Sequence, residues 1–320
     1  MHIRPFEPTG EEYEAFLAVK LASRPDYPTT VDMLKHHDQT RDPKLFYERL
    51  AGLVDGVPVI YGHYGEPDWA YEPGKYLLGY DLHPDHAGKG YDRLMFDHML
   101  NLVKQRGARI LLAFDREDQT DKMKLFKDYG FVETMRYPVS HLEVAAFDPE
   151  PFKPAVEKAR QTGVKIYSLA ELQARTPDWQ HRIWDLDWEI HQDVPSPEPI
   201  TRYPFDEFAK IFSRPNFTPE SWFIAVDEAS GDWIGLSTIW VEPANADKVY
   251  TGLTGVLRPY RRQGLATAMK LRGIDHAKKL GAKRIETNNE ENNPMYRLNL
   301  QLGFKPAPPM VDFRKVIEET

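Results

Sequence analysis

Val256-Leu-Arg-Pro-Tyr-Arg-Arg-Gln-Gly264-Leu-Ala-Thr267 joins a strand-like run to a helical one, and its reading decides the fold. Residues 249–256 upstream are rich in β-branched and small apolar types. Downstream, apolar residues at Leu265, Ala268, Met269, Leu271, Ile274, Ala277 and Leu280 keep helical spacing. Gly281 follows, at the place where a helix C-terminus favours glycine. A basic, glycine-containing turn therefore opens a helix. Unspent backbone N–H groups and the positive end of the helix dipole make such a turn suited to an anion. Gly264 and Ala266 are small enough to let a ligand approach the backbone. The same residues also describe a solvated basic turn before a surface helix.

The pattern occurs twice. Leu82-His-Pro-Asp-His-Ala-Gly-Lys-Gly90 also leads into a helical run. Gly90, Gly107 and Gly130 of the first copy stand against Gly264, Gly281 and Gly303 of the second, at offsets of 174, 174 and 173 residues. So long a period is not that of a solenoid; it marks two copies of one domain. Each copy starts with a strand-like segment (3–6; 164–169) and continues into a helical one (11–21; 179–190). In the second copy, strand runs at 221–226, 233–241 and 249–256 are separated by turn clusters, as hairpins require. The expected class is α/β (α+β), each copy a mixed sheet flanked by helices. The expected division is 1–148, a linker at 149–163, and 164–320. The proline-dense stretch from Phe147 to Pro154 suggests that the linker is extended.

After a further strand at 284–287 comes Asn288-Asn-Glu-Glu-Asn292-Asn-Pro-Met295-Tyr-Arg-Leu-Asn299-Leu-Gln-Leu-Gly303-Phe304. With this segment the sequence resembles the GNAT-type N-acyltransferase superfamily. Arg261-Arg-Gln-Gly264-Leu-Ala266 matches the family's [Arg/Gln]-x-x-Gly-x-[Gly/Ala] motif. Asn292-Asn-Pro-Met295 through Gly303-Phe304 matches its Asn-x-x-[Ala/Met] helix closing on Gly-Phe. The resemblance covers nearly all of 164–310 and, more weakly, 1–145. It implies acetyl-CoA as cosubstrate. The backbone of Arg262, Gln263, Gly264, Leu265, Ala266 and Thr267, with Arg261, would hold the pyrophosphate. Val256 and Leu257 would pair with the pantetheine arm as an added strand does. Asn292 and Met295 would line the other side. An acceptor amine would attack the thioester directly, with catalysis mainly from positioning and amide donors.

Both copies depart from the motif. Ala87 stands at the Arg261 position and Asp92 at the Ala266 position; Gln119 replaces Asn292 and Phe126 replaces Asn299. Two like charges about 4 Å apart repel by about 1 kcal/mol in water and about 4 near a protein surface, so Asp92 opposes a pyrophosphate. The first copy is therefore expected to be a scaffold, unless Asp92 turns to solvent. In the second copy, Asn299 stands where many family members carry a tyrosine acid, and asparagine cannot titrate. Tyr296, one turn earlier, is the substitute. Glu242, at the end of a strand, is the candidate base.

The acceptor side rests on Trp184-Asp-Leu-Asp-Trp188-Glu-Ile-His191-Gln-Asp193. This reads as an amphipathic helix with both tryptophans in the core, or as an aromatic and acidic wall for a cationic amine. The loop 194–204 that follows is a candidate lid. Other classes are excluded by composition. The net charge of -8 opposes nucleic acid and anionic lipid. The absence of cysteine excludes thiolate metal sites and cysteine nucleophiles. No apolar run approaches the roughly 20 residues of a membrane span. Met1 to Phe6 lacks the apolar core of a signal peptide, so a cytoplasmic protein is expected. His83-x-x-His86 has metal spacing but no third ligand nearby, and no metal is expected. The leading expectation is acetyl transfer to a small-molecule amine at the second copy. A non-catalytic CoA- or ligand-binding pair and a protein or peptide acetyltransferase remain as alternatives.

Overall fold

The computed structural model describes residues 1–317. They form two compact units, each with its own core. The first holds Met1–Arg136, Ser196–Tyr203 and the segment from Met310 onward; the second holds Tyr137–Pro195 and Pro204–Pro309. These units do not follow the expected division at 148 and 164. The reason lies in two long strands, each of which begins in one unit and finishes in the other.

The first unit contains β1 (His2–Pro5), α1 (Gly10–Ser23), α2 (Val31–Thr40), β2 (Tyr47–Val54), β3 (Val57–Gly65), β4 (Lys75–Leu82), α3 (Tyr91–Gln105), β5 (Ile110–Arg116) and α4 (Thr120–Asp128). α1 and α2 start where the sequence supplies caps: Thr9 accepts from the Glu12 amide and Thr30 from the Met33 amide. β1 to β4 pair antiparallel in order, β4 pairs parallel with β5, and the outer edge of β5 is taken by Met310–Val316. The core is aromatic, with Phe96, Phe126, Phe131 and Phe313 packed ring to ring.

β6 (Val132–Glu143) carries the chain into the second unit, where it pairs with a strand of the second copy. There follow α5 (Lys153–Arg160), β7 (Val164–Ser168), α6 (Leu169–Gln173), α7 (Trp179–His191), α8 (Phe205–Ala209), β8 (Trp222–Asp227), β9 (Trp233–Val241), β10 (Lys248–Val256), α9 (Leu265–Lys279), β11 (Arg284–Asn288), α10 (Pro294–Gln301) and β12 (Lys305–Val316). β7 to β10 run antiparallel in order, and β10 pairs parallel with β11.

The linker expectation is corrected. Residues 149–163 are not extended: a 3-10 turn (Glu150–Phe152) leads directly into α5, which packs on α9. Pro151 and Pro154 occupy the first positions of these helices, where proline's missing N–H costs nothing and its fixed φ assists. Among the described residues no helix is long and apolar enough to cross a membrane.

Candidate active site

The turn between β10 and α9 has unusual backbone geometry. Arg262 lies at φ 62° and Gly264 at φ 82°, both left-handed. Gly264 caps α9 without a side chain, and Ala268 is the first residue of the helix whose N–H reaches back, to the Gly264 carbonyl. The earlier amides point out of the helix end. α5 supports the turn from below: Lys158 Nζ donates to the Arg262 carbonyl at 2.7 Å. Arg261 is spent differently. Its Nε donates to the Val256 carbonyl at 2.8 Å, and its other nitrogen pairs with Asp193, which also holds Arg258. Burial would raise the Asp193 pKa, but hydrogen bonds from Arg258 and Arg261 pull it down to about 2. Arg261 thus staples the strand end to the turn, and the backbone nest with Arg262 has the geometry suited to an anion.

β10 and β11 pair only over Lys248–Tyr250 and Arg284–Glu286. Beyond that they part, and β10 carries a bulge between Thr251 and Thr254 against β9. Val256 stays in register with Gly235, and the Leu257 amide donates to Ile234. The inner edge of β10 therefore reaches the turn without a strand partner. This parted edge beside an anion-ready turn fits the thioester arm and diphosphate of an acyl-CoA.

The remaining residues singled out from sequence fall unevenly around this cleft. Asn292 is exposed and folded back on Glu290 through two bonds of 2.9 and 2.8 Å. Asn293 is the residue that caps α10. Met295 and Tyr296 are half-buried in the first turn of α10. Asn299 is fully buried; its Nδ2 donates to Asn289 at 2.6 Å and its Oδ1 has no partner. Glu242 is held by the Ala244 amide at 3.1 Å, and burial raises its pKa. The register sets its neighbour Val241 against Val249, at the opposite end of β10 from Val256. At about 3.4 Å per residue that is roughly 25 Å from the turn. Glu242 and the nest are not brought together.

Sequence reasoning missed three features. His191 Nδ1 lies 2.9 Å from Asp187 Oδ2, one turn apart on α7. Glu286 is buried between His141 and Lys248, at 2.8 and 2.7 Å. Lys270 is buried on α9 with its ammonium 5.8 Å from the Phe304 ring, and desolvation lowers its pKa to about 7. An i, i+4 Asp–His pair was legible in the residues; the other two needed the fold. The two tryptophans of α7 are also placed differently from the amphipathic reading. Ile183, Leu186 and Ile190 face the core, whereas Trp184 and Trp188 are half-buried on the next face. Residues 194–204 are anchored at Glu198, whose Oε2 accepts from Lys75 Nζ at 2.7 Å, both buried, within the first unit.

The first unit keeps the turn and loses the cleft. Gly88 and Gly90 repeat the left-handed pair at φ 72° and 79°. β4 and β5 part after Leu77 and Leu112, as in the other copy. Here the gap is crossed by charge. Arg24 bridges Asp81 at 2.9 Å and Asp115 at 2.7 Å; Lys122 bonds Asp115 at 2.8 Å and the Tyr80 carbonyl at 2.9 Å. Burial would raise the Asp81 carboxyl pKa, but Lys20 and Arg24 bring it well below the usual carboxylate range. A backbone acceptor on the parted strand is thereby consumed. Phe126, at the Asn299 position, fills the aromatic core. The second unit has Gly255, Asn288 and Met295 where the first has Asp81, Asp115 and Lys122, so it has no equivalent bridge at these positions.

A model of the GNAT acetyltransferase family matches residues 181–304. Residues 181–304 are thus a GNAT acetyltransferase domain. The chain's tandem fold is shared with solved structures at low identity. A tandem GNAT protein from the clavulanic acid biosynthesis pathway is similar over 100% of this chain and 99% of its own, at 16% identity and a TM-score of 0.77. A GCN5-related N-acetyltransferase from Sphaerobacter thermophilus is similar over 99% and 96%, at 16% identity and a TM-score of 0.70. A GNAT acetyltransferase from Colwellia psychrerythraea matches over 98% and 99%, at 13% identity and a TM-score of 0.61. No curated protein matches the chain. The GNAT fold is that of acyl-CoA-dependent acetyl transfer, and this chain has it twice.

Proposed function

We propose that the chain transfers an acetyl group from acetyl-CoA to the amine of a small molecule, at the second unit. One observation carries this reading: the second unit leaves the parted edge of β10 open, whereas Arg24 and Lys122 bridge the matching gap in the first. The amides at the start of α9 would bind the diphosphate, helped by the helix dipole. The edge of β10 would align the pantetheine arm. Bound this way, the thioester carbonyl is held for a neighbouring amine, and positioning supplies much of the rate. The full burial of Asn299 and its lack of a titratable proton favour a second reading, a CoA-binding protein without turnover.

Calorimetric titration of the full chain with acetyl-CoA is expected to give one site. That site is expected to vanish in Gly264→Asp and to persist unchanged in Asp92→Gly. Thiol release with a panel of primary amines then separates the enzyme from the binder. Two sites would sink the assignment to the second unit; one site without release to any amine would favour the binder.

A further inference from the structure

We infer that His191, oriented by Asp187, is the base that takes the proton from the acceptor amine, and that the amine's apolar body rests on the aromatic face between α7, α8 and β9. This rests on the transferase reading above.

The placement of α7 carries the inference. Ile190 seats its last turn on β10 so closely that a Cβ on Gly255 would lie 2.2 Å from the isoleucine side chain. Asp193, just beyond the helix, ties it to Arg258 and Arg261. His191 is thus next in sequence to the residue that touches the open strand of the cleft. Successive helical residues turn by about 100°, so 184, 187, 188 and 191 form one stripe beside the core-facing one. Arg182, on the opposite flank, reaches the Gly231 carbonyl in the β8–β9 turn at 3.2 Å. The stripe with His191 therefore faces the other way, towards α8, where Trp184 meets Phe205 edge-on at 5.8 Å.

Unspent polar groups lie on that side. Trp222 Nε1 and Thr238 Oγ1 are buried without a partner. The Trp222 ring packs edge-on against Trp240 at 5.3 Å. A Cβ on Gly252, inside the β10 bulge, would come within 2.4 Å of Thr238 Oγ1 and 2.6 Å of Trp240 Nε1. Buried polar groups are normally paired, and two left without a protein partner beside aromatic rings are consistent with a polar ligand atom as the partner. The ligand class is a primary amine on an aromatic or apolar body.

Asp187 decides the role of the imidazole. With Nδ1–H donated to the carboxylate, Nε2 keeps its lone pair. His191 is part-exposed and accessible to solutes. Burial lowers its pKa, the Asp187 hydrogen bond and charge raise it, and the net shift is upward from 6.5. The other charged groups on the packed elements are already paired or face solvent. Glu207 binds Lys210 on the segment after α8, Asp206 is exposed, Lys248 of β10 binds Glu286, and Asp193 holds its two arginines. β10 also presents Tyr250, and β9 carries no ionisable residue. In the reaction the amine nitrogen bonds to the thioester carbon, and the C–S bond breaks with its electron pair leaving on sulfur. One N–H proton passes to Nε2 and returns through water to the thiolate, so a neutral amine and thioester give amide and thiol.

The test uses the full chain, acetyl-CoA, and 2-phenylethylamine, tryptamine, spermidine and glucosamine as acceptors, from about pH 5 to 9. kcat/KM is expected to rise with pH through an apparent pKa above 6.5. His191→Gln is expected to remove that limb and lower kcat by about 10²–10⁴-fold, with the acetyl-CoA Kd unchanged and partial rescue by added imidazole. Asp187→Asn is expected to move the limb to lower pH with a smaller loss. Proton NMR of the histidines, read without turnover, should show His191 titrating above 6.5 and lower in Asp187→Asn. An active wild type whose His191→Gln variant keeps its rate and profile overturns this inference alone, as does a His191 resonance indifferent to Asp187. No turnover of any amine by the wild type overturns the transferase reading and this inference with it.

Discussion

Gly264→Ala is expected to abolish acetyl-CoA binding, weakening it more than 100-fold, or by about 2.7 kcal/mol and above. Two effects add. Gly264 sits at φ 82°, where an L-residue costs roughly 1–2 kcal/mol. A Cβ there would also lie 2.2 Å from the Ala155 carbonyl oxygen and 3.0 Å from its carbon, both backbone atoms of α5. Helix backbone cannot rotate away as a side chain can. Relief therefore requires α5 to shift, which pulls Lys158 off the Arg262 carbonyl and releases the left-handed turn it supports. Gly90→Ala is the control. Its φ is 79°, but nothing lies within 4 Å of the added atom, so only the conformational cost applies. Calorimetric Kd values for the two variants are the measurement. Normal acetyl-CoA affinity in Gly264→Ala would mean that the diphosphate does not use this nest.

The second large effect is on stability. Glu198→Ala is expected to destabilise the first unit by about 3–5 kcal/mol, the usual cost of leaving a buried charge without its partner. Lys75 is 2% exposed and Glu198 7%, and their contact is 2.7 Å. Arg314 adds a second contact to Glu198 at 3.1 Å, so two cations lose their shared carboxylate. Glu72, at 3.1 Å from Lys75 but half exposed, is screened by water and cannot replace it. At about 2–4 °C per kcal/mol for a unit of this size, the first thermal transition should fall by roughly 10 °C. Glu72→Ala should move it by little. Calorimetric melting of the full chain checks both; an unshifted first transition in Glu198→Ala would show that the pair is not a determinant of the unit's stability. The same pair anchors 194–204, the loop its prolines suggested as a lid, at Glu198.

Much of the turn proposed as the donor site was legible because its geometry is local. Glycine at a left-handed position, small residues after it and a helix-period pattern beyond lie within a dozen residues, and Arg261 to Thr267 form the turn they predict. The role of Arg261 was less legible. A guanidinium beside a phosphate loop reads as a phosphate ligand until Asp193 and the Val256 carbonyl are seen to occupy it. Glu242 was chosen for standing at a strand end, and strand register, which no single strand's sequence states, set it at the far end of β10. His191 lay inside the stretch already marked for the acceptor. Its pairing with Asp187 at i, i+4 was readable, but the face of α7 on which both stand depended on where Ile190 seats against Gly255.

Sequence by itself determined the duplication, the strands and helices flanking the two glycine turns, and the turns themselves, because periodicity, capping and left-handed backbone depend on neighbouring residues. Tertiary structure alone decided which strand completes which sheet, that 153–160 is a helix braced under the turn, and which cleft is open. Arg24 meets Asp81 and Asp115 across 57 and 91 residues, and Lys75 meets Glu198 across 123. Any of the 41 basic residues could pair with any of the 49 acidic ones as far as sequence can say. Charge attraction has no periodicity; only the packing that removes water and sets the distance selects which pairs form.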